Sequence, residues 1–157
     1  MKVLSKSETT LWCASHHIAL DARGLPERSD AGQKFSISSD AQRRVALVKR
    51  TMEAFVDERA VLVWFDDWSV WPSGQRMHVF DRFRMAYGEN RRLIDSPGHI
   101  FDQTEIEDAT SFVTLAVLFL WDCYVVTPNR SKLLYFSHDE HGAVKGLDIA
   151  SGVDGRT

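Results

Sequence analysis

The residues with the most chemical character sit together near the end of the chain, as the unbroken run Ser137-His138-Asp139-Glu140-His141. Imidazoles beside carboxylates can move protons or hold a divalent metal ion. Read as the end of a strand, the run alternates its side chains, so His138 and Glu140 share one face while Asp139 and His141 share the other. Each face then offers a metal only two ligands, where a complete site needs three or four. His138 and Glu140 become metal ligands only if His99, Asp122 or the His16-His17 pair joins them. The bland alternative is a polar strand end, with Asp139 capping a turn into Gly142.

A second constellation is Asp66-Asp67-Trp68-Ser69-Val70-Trp71, at the expected end of a strand, where ligands often collect. Asp66 and Asp67 beside the indoles of Trp68 and Trp71 could hold a cation or a basic side chain through charge and cation–π attraction together. The plainer reading makes the indoles lids over the core and the carboxylates solvated turn residues. The third is His99, placed just after Pro97-Gly98, where a rigid turn could hold an imidazole for function or to satisfy a buried carbonyl. The sequence has no Gly-rich phosphate loop, no Gly-x-Ser-x-Gly, no His-Glu-x-x-His and no Cys-x-x-Cys. No catalytic set is complete, and no cofactor is expected.

These residues must be positioned by a chain of 157 residues, long enough to bury one real core without disulfides or metal. Cys13 and Cys123 each sit in an apolar stretch, as free buried thiols do. The formal charge of −3 is uneven. Residues 1–60 carry ten Lys/Arg against eight Asp/Glu, and residues 61–157 carry nine against fourteen, a balance of −5. That acidity argues against a nucleic-acid partner and suits a basic protein. The five Trp and nine Phe exceed what packing needs, and such residues also enrich binding surfaces. The most apolar run, Phe112 to Trp121, is about half the ~20 residues of a membrane span, so no membrane association is expected. The N-terminus lacks the apolar core of a signal peptide, and a cytoplasmic location follows as an expectation.

Periodicity supplies the elements. Leu11 to Leu20 reads as a first strand, 21–34 as a long loop, and Phe35 to Ser38 as a short strand. Ser39 with Gln42 has the capping-box spacing, and Ala41, Val45, Val48, Met52, Phe55 and Val56 form a helical stripe, with Arg44 on its flank. Ala60 to Trp68 is apolar on both faces, as a central strand is. Gln75 to Tyr87 fits a helix stopped by Gly88, although its alternation also permits a strand. Arg91 to Ile94 reads as extended, and 95–98 as a turn. Asp102 with Glu105 caps a third helix that runs to about Phe119. Trp121 to Thr127 and Lys132 to His138 form a hairpin, and the tail from 147 is small and polar. The expected fold is α+β: one domain over 1–157, a mixed or antiparallel sheet, about three helices and a C-terminal β-hairpin.

Val70-Trp71-Pro72-Ser73, Pro97-Gly98-His99-Ile100-Phe101 with Glu105, Trp121-Asp122-Cys123-Tyr124 and Ser137-His138-Asp139-Glu140 carry a resemblance. From Trp64 to Gly142 the chain resembles a family of small uncharacterised bacterial cytoplasmic proteins. In these a Trp-Asp strand is followed by a Ser-His-Asp-Glu strand end. Terminal hairpins of this style also occur in small proteins that neutralise bacterial toxins. The resemblance implies no catalytic residue.

The expected function is a non-enzymatic protein-binding module, of the immunity type, with a basic partner. A metal-assisted hydrolase using His138, Asp139 or Glu140 with His99 and Asp122 is the rival, and it requires those residues to converge. A small-molecule sensor with its pocket at Trp68, Trp71 and His99 is the third reading.

Overall fold

The computed structural model describes residues 1–28, 32–67, 77–128 and 131–147. The fold is α+β, with antiparallel pairing throughout one sheet and four helices among the described residues. In chain order the elements are β1 (Lys2–Leu4), α1 (Lys6–Ser15), β2 (Gln33–Ser36), α2 (Ala41–Met52), β3 (Ala60–Phe65) and α3 (Met77–Met85). β4 (Gly98–Asp102), α4 (Ile106–Leu118), β5 (Cys123–Val126), β6 (Leu133–Phe136) and β7 (His141–Lys145) complete it. The strand order is β1-β4-β3-β5-β6-β7-β2, so the two N-terminal strands guard opposite edges. No helix among the described residues is long and apolar enough to cross a membrane.

β3 lies centrally, between β4 and β5, and is buried on both faces, as its double-sided apolar pattern predicts. Its alternate residues divide the interior. Val61, Val63 and Phe65 face α2, α3 and α4 in a large apolar cluster with Phe80, Phe101, Phe112 and Trp121. Leu62 and Trp64 face the other way, toward Cys13, Ile18, Leu25, Tyr124, Val126 and Tyr135. α1 is pressed so closely on that second face that a Cβ on Gly98 would lie 2.2 Å from Thr9 Oγ1. At the far edge Phe35 packs over Gly142, where a Cβ would lie 2.2 Å from its ring.

The expected strand over Leu11–Leu20 is instead α1 and the turn that ends it. Ser5 and Glu8 form a reciprocal capping box, Glu8 N donating to Ser5 Oγ and Ser5 N to Glu8 Oε2. Only Thr9 and Cys13 of α1 are buried, a stripe too narrow to show as helical periodicity. α2 is capped by Asp40, one residue later than expected. It is rotated from the predicted stripe: Arg44, Leu47, Val48, Thr51 and Met52 are buried, while Val45 and Val56 lie 42% and 51% exposed. Arg44, placed on the flank by periodicity, goes inside because its guanidinium finds acceptors there.

α3 is a helix, ended by Gly88 at φ +78°. Asp102 and Glu105 form the predicted capping box, which opens a single 3₁₀ turn leading into α4. Residues 91–94 are turn rather than extended chain, and the segment after Pro97 is strand β4. The hairpin pairs β5 with β6, Tyr124 opposite Tyr135. It then continues into a further strand, β7.

Candidate functional site

Asp122 organises the site, and the end of α4 aims it. Trp121 N donates to Ala116 O and Leu120 N to Val117 O, the two hydrogen bonds of a Schellman motif, with Leu120 at φ +58° where glycine is usual. That turn sends Trp121 into the helix-side core and, by strand alternation, puts Asp122 on the opposite face. Asp66 N donates to Asp122 O at 3.0 Å and Asp122 N to Asp67 O at 2.8 Å, so the backbone just beyond β3 is tied to Asp122.

From β6, Tyr135 Oη donates to Asp122 Oδ2 at 2.8 Å. The His138 backbone N–H and Nδ1 each donate to Asp122 Oδ1 at 2.7 Å. Burial pulls the His138 pKa down, but the hydrogen bond to Asp122 and the charges of Asp122, Asp139 and Asp67 outweigh it, so the net shift is upward from 6.5. Its Nε2 is 3.4 Å from Asp139 Oδ1. The Asp122–His138 pair has the orientation of a catalytic dyad, yet no serine, threonine or cysteine bonds to Nε2 among the described residues.

The Ser137–His141 run is a turn, not an extended strand end. Ser137 N donates to His141 O, leaving three residues in the loop, and Glu140 takes the left-handed conformation at φ +59°. The predicted alternation therefore fails. His138 turns to Asp122, whereas Glu140 turns to the helix layer and pairs with Arg44, which also donates to Ser38 O and Val117 O. Asp139 is exposed, and the His141 ring lies 6.2 Å from Tyr135.

His99 is nowhere near this group. It pairs in register with Val63 on the helix-side face, ringed by Phe65, Phe80 and Phe112, and its Nδ1 donates to Pro97 O at 3.1 Å. Burial, with the charge of Arg84, pushes its pKa down to about 3. It satisfies a carbonyl and stays neutral. The expected set of His138, Glu140 and His99 does not assemble. Among the described residues no group of three or more His, Cys, Asp and Glu is placed to hold a metal. Both thiols are buried, with pKa values raised by desolvation, that of Cys13 to about 12, as suits packing groups rather than nucleophiles. Trp68 and Trp71, and with them the aromatic pocket expected at His99, lie outside the described residues.

Four residues that sequence reasoning passed over complete the site. Tyr124 and Tyr135 pack with ring centroids 4.7 Å apart and planes tilted by 39° on the Asp122 face. Arg28 lies 4.5 Å over the Tyr135 ring. Arg23, on a turn built around Gly24 at φ +78°, reaches Asp66 at 3.6 Å. The tyrosines were legible, because a hairpin closed across 128–131 puts Tyr124 opposite Tyr135. The arginines carried no signal, since nothing local ties the 17–28 segment to the ends of β3 and β6. No protein-family model matches the chain, and neither does any curated protein or solved structure compared with it.

Proposed function

We propose that the chain is a non-enzymatic protein-binding module of the bacterial cytoplasm, of the immunity type, whose partner is a basic protein. One observation carries the reading. At the corner where β3 and β6 end and β5 begins, the charges of Asp122, Asp139 and Asp67 act on His138, and those of Asp122 and Asp67 act on Asp66. Arg23, 57% exposed, is the cation that reaches Asp66 there. Burial raises the Asp66 pKa; Arg23 opposes the rise while Asp122 and Asp67 add to it, and the net direction is up. A carboxylate in that state is stabilised by any further cation brought to it. A basic surface docking at this corner would gain that energy, and long-range attraction would speed its approach. Free buried thiols accord with a reducing compartment.

The test is affinity capture in the source organism with the tagged chain. The expected result is one basic protein in equimolar amount, released by about 0.5 M salt as screening predicts. The double variant Asp66→Asn, Asp139→Asn should not retain it. An acidic partner, a partner indifferent to both salt and the double variant, or a chain recovered alone would overturn the reading.

A further inference from the structure

The acidic corner contains an unsatisfied buried hydroxyl, and it defines the shape of what the corner takes. Tyr124 is fully buried on the Asp122 face, and its hydroxyl has no hydrogen-bond partner. That hydroxyl feels the charges of Arg28, Asp66, Arg23 and Asp122, which places it inside the same cluster. The Asp66 carboxylate is in a related condition. Its ion pair with Arg23, at 3.6 Å, is longer than a hydrogen bond, and Arg23 divides itself between Asp66 and Asp21, at 3.5 Å. A buried hydroxyl without a partner is uncommon, and this one shares its niche with the part-exposed Asp66 carboxylate, so a single ligand group could serve both.

Resting on the binding-module reading, we propose that this niche receives an arginine side chain of the basic partner. Its guanidinium would donate to Asp66 and to the Tyr124 hydroxyl, and would stack beside the Tyr135 ring. A guanidinium fits for three reasons. It carries five N–H donors in one plane, enough for a carboxylate and a phenol oxygen at once. Its flat face stacks on aromatic rings, whereas an ammonium is a compact, strongly hydrated point charge. The chain's own arginines already display both halves of the chemistry, Arg23 by its charge at Asp66 and Arg28 by its stacking on Tyr135. Neither makes a hydrogen bond to Asp66 or Tyr124 among the described residues. Both side chains are exposed and cover the niche as displaceable stand-ins.

The experiment titrates the full chain with the pentapeptides Gly-Gly-Arg-Gly-Gly and Gly-Gly-Lys-Gly-Gly, followed by NMR shifts of the Asp66 and Tyr124 amides. The arginine peptide should bind saturably, about fivefold more tightly than the lysine peptide. Asp66→Asn should weaken it about tenfold and Tyr124→Phe about fivefold, with the thermal midpoint of Tyr124→Phe unchanged or raised. Arg23→Ala should tighten it, because the internal competitor is gone. Equal affinity for the two peptides would overturn the proposal, as would indifference to Tyr124→Phe, which would mean that the hydroxyl holds only water. Absence of binding by Arg23→Ala at about 20 mM peptide would also overturn it. Equimolar capture of a basic protein alongside any of these failures would leave the binding module standing and remove only the arginine niche.

Discussion

The two faces of the sheet treat a histidine in opposite ways. On the helix side, His99 is enclosed by Phe65, Phe80 and Phe112, and desolvation keeps it neutral down to about pH 3. At the corner of the other face, His138 is half-buried against Asp122, and the paired carboxylate raises its pKa above 6.5. One sheet supplies both environments, His99 on β4 and His138 just beyond β6. A histidine's role is therefore set by which side of the pleat it or its partner faces, more than by its local sequence.

The largest effect should come from the apolar face. Phe112 touches Phe65, Phe80, Phe83, His99 and Phe101, so Phe112→Ala opens a cavity in the most crowded part of the core. It should cost about 4 kcal/mol in urea unfolding. A loss below about 1 kcal/mol would mean that the two faces are packed alike.

Asp122→Asn comes next, at about 2–3 kcal/mol, because an amide cannot accept from Tyr135, the His138 amide and the His138 ring together. The same variant should bring the His138 titration, followed by its ring proton in NMR, back down toward 6.5. An unmoved titration would show that Asp122 does not govern that imidazole.

The two histidines should then tilt the pH dependence of stability in opposite directions. The His99 pKa is depressed in the folded chain, so its contribution is complete above 6.5 and is lost as pH falls toward about 3. The slope is at most about 1.4 kcal/mol per pH unit. The His138 pKa is raised, so its contribution is complete below 6.5 and is lost as pH rises through the folded value. His99→Leu should flatten the acid limb of the unfolding profile and leave the alkaline limb intact. His138→Ala should do the reverse. If either variant flattened both limbs, the separation of the two sites would be wrong.

The smallest effect belongs to the residue between the faces. Leu120 holds a left-handed conformation only to direct Trp121 to one side and Asp122 to the other. Leu120→Gly relieves that strain and should raise the thermal midpoint by the equivalent of about 0.5–1 kcal/mol. A drop in the midpoint would show that the leucine side chain matters more than its backbone.

Much of the frame was readable before any coordinates. The double-sided apolar pattern of Val61 to Phe65 marks a central strand, and Asp102 with Glu105 marks the entry to α4. Two misreadings have physical causes. The α1 helix buries only Thr9 and Cys13 and leaves Leu11 exposed, so its apolar letters resemble a strand while its capping box lies upstream, at Ser5 and Glu8. The alternation assigned to Ser137–His141 assumed extended backbone, whereas Glu140 adopts a conformation that glycine or asparagine usually takes, with its carboxylate held by Arg44.

By itself, the sequence determined which residues could do chemistry, that the C-terminal part is acidic, and that a hairpin joins Trp121–Thr127 to Lys132–His138. These follow from composition and from short-range periodicity, which act within a few residues. Tertiary structure alone decided that Asp122 would meet His138, Asp66 and Tyr135, and that His99 would be sealed away. The meeting with Asp66 and the sealing of His99 depend on the register of strands far apart in the chain, that with Tyr135 and His138 on how the hairpin ends turn, and Arg23 and Arg28 fold back over the group. No local pattern encodes a contact whose energy appears only once both distant segments are in place.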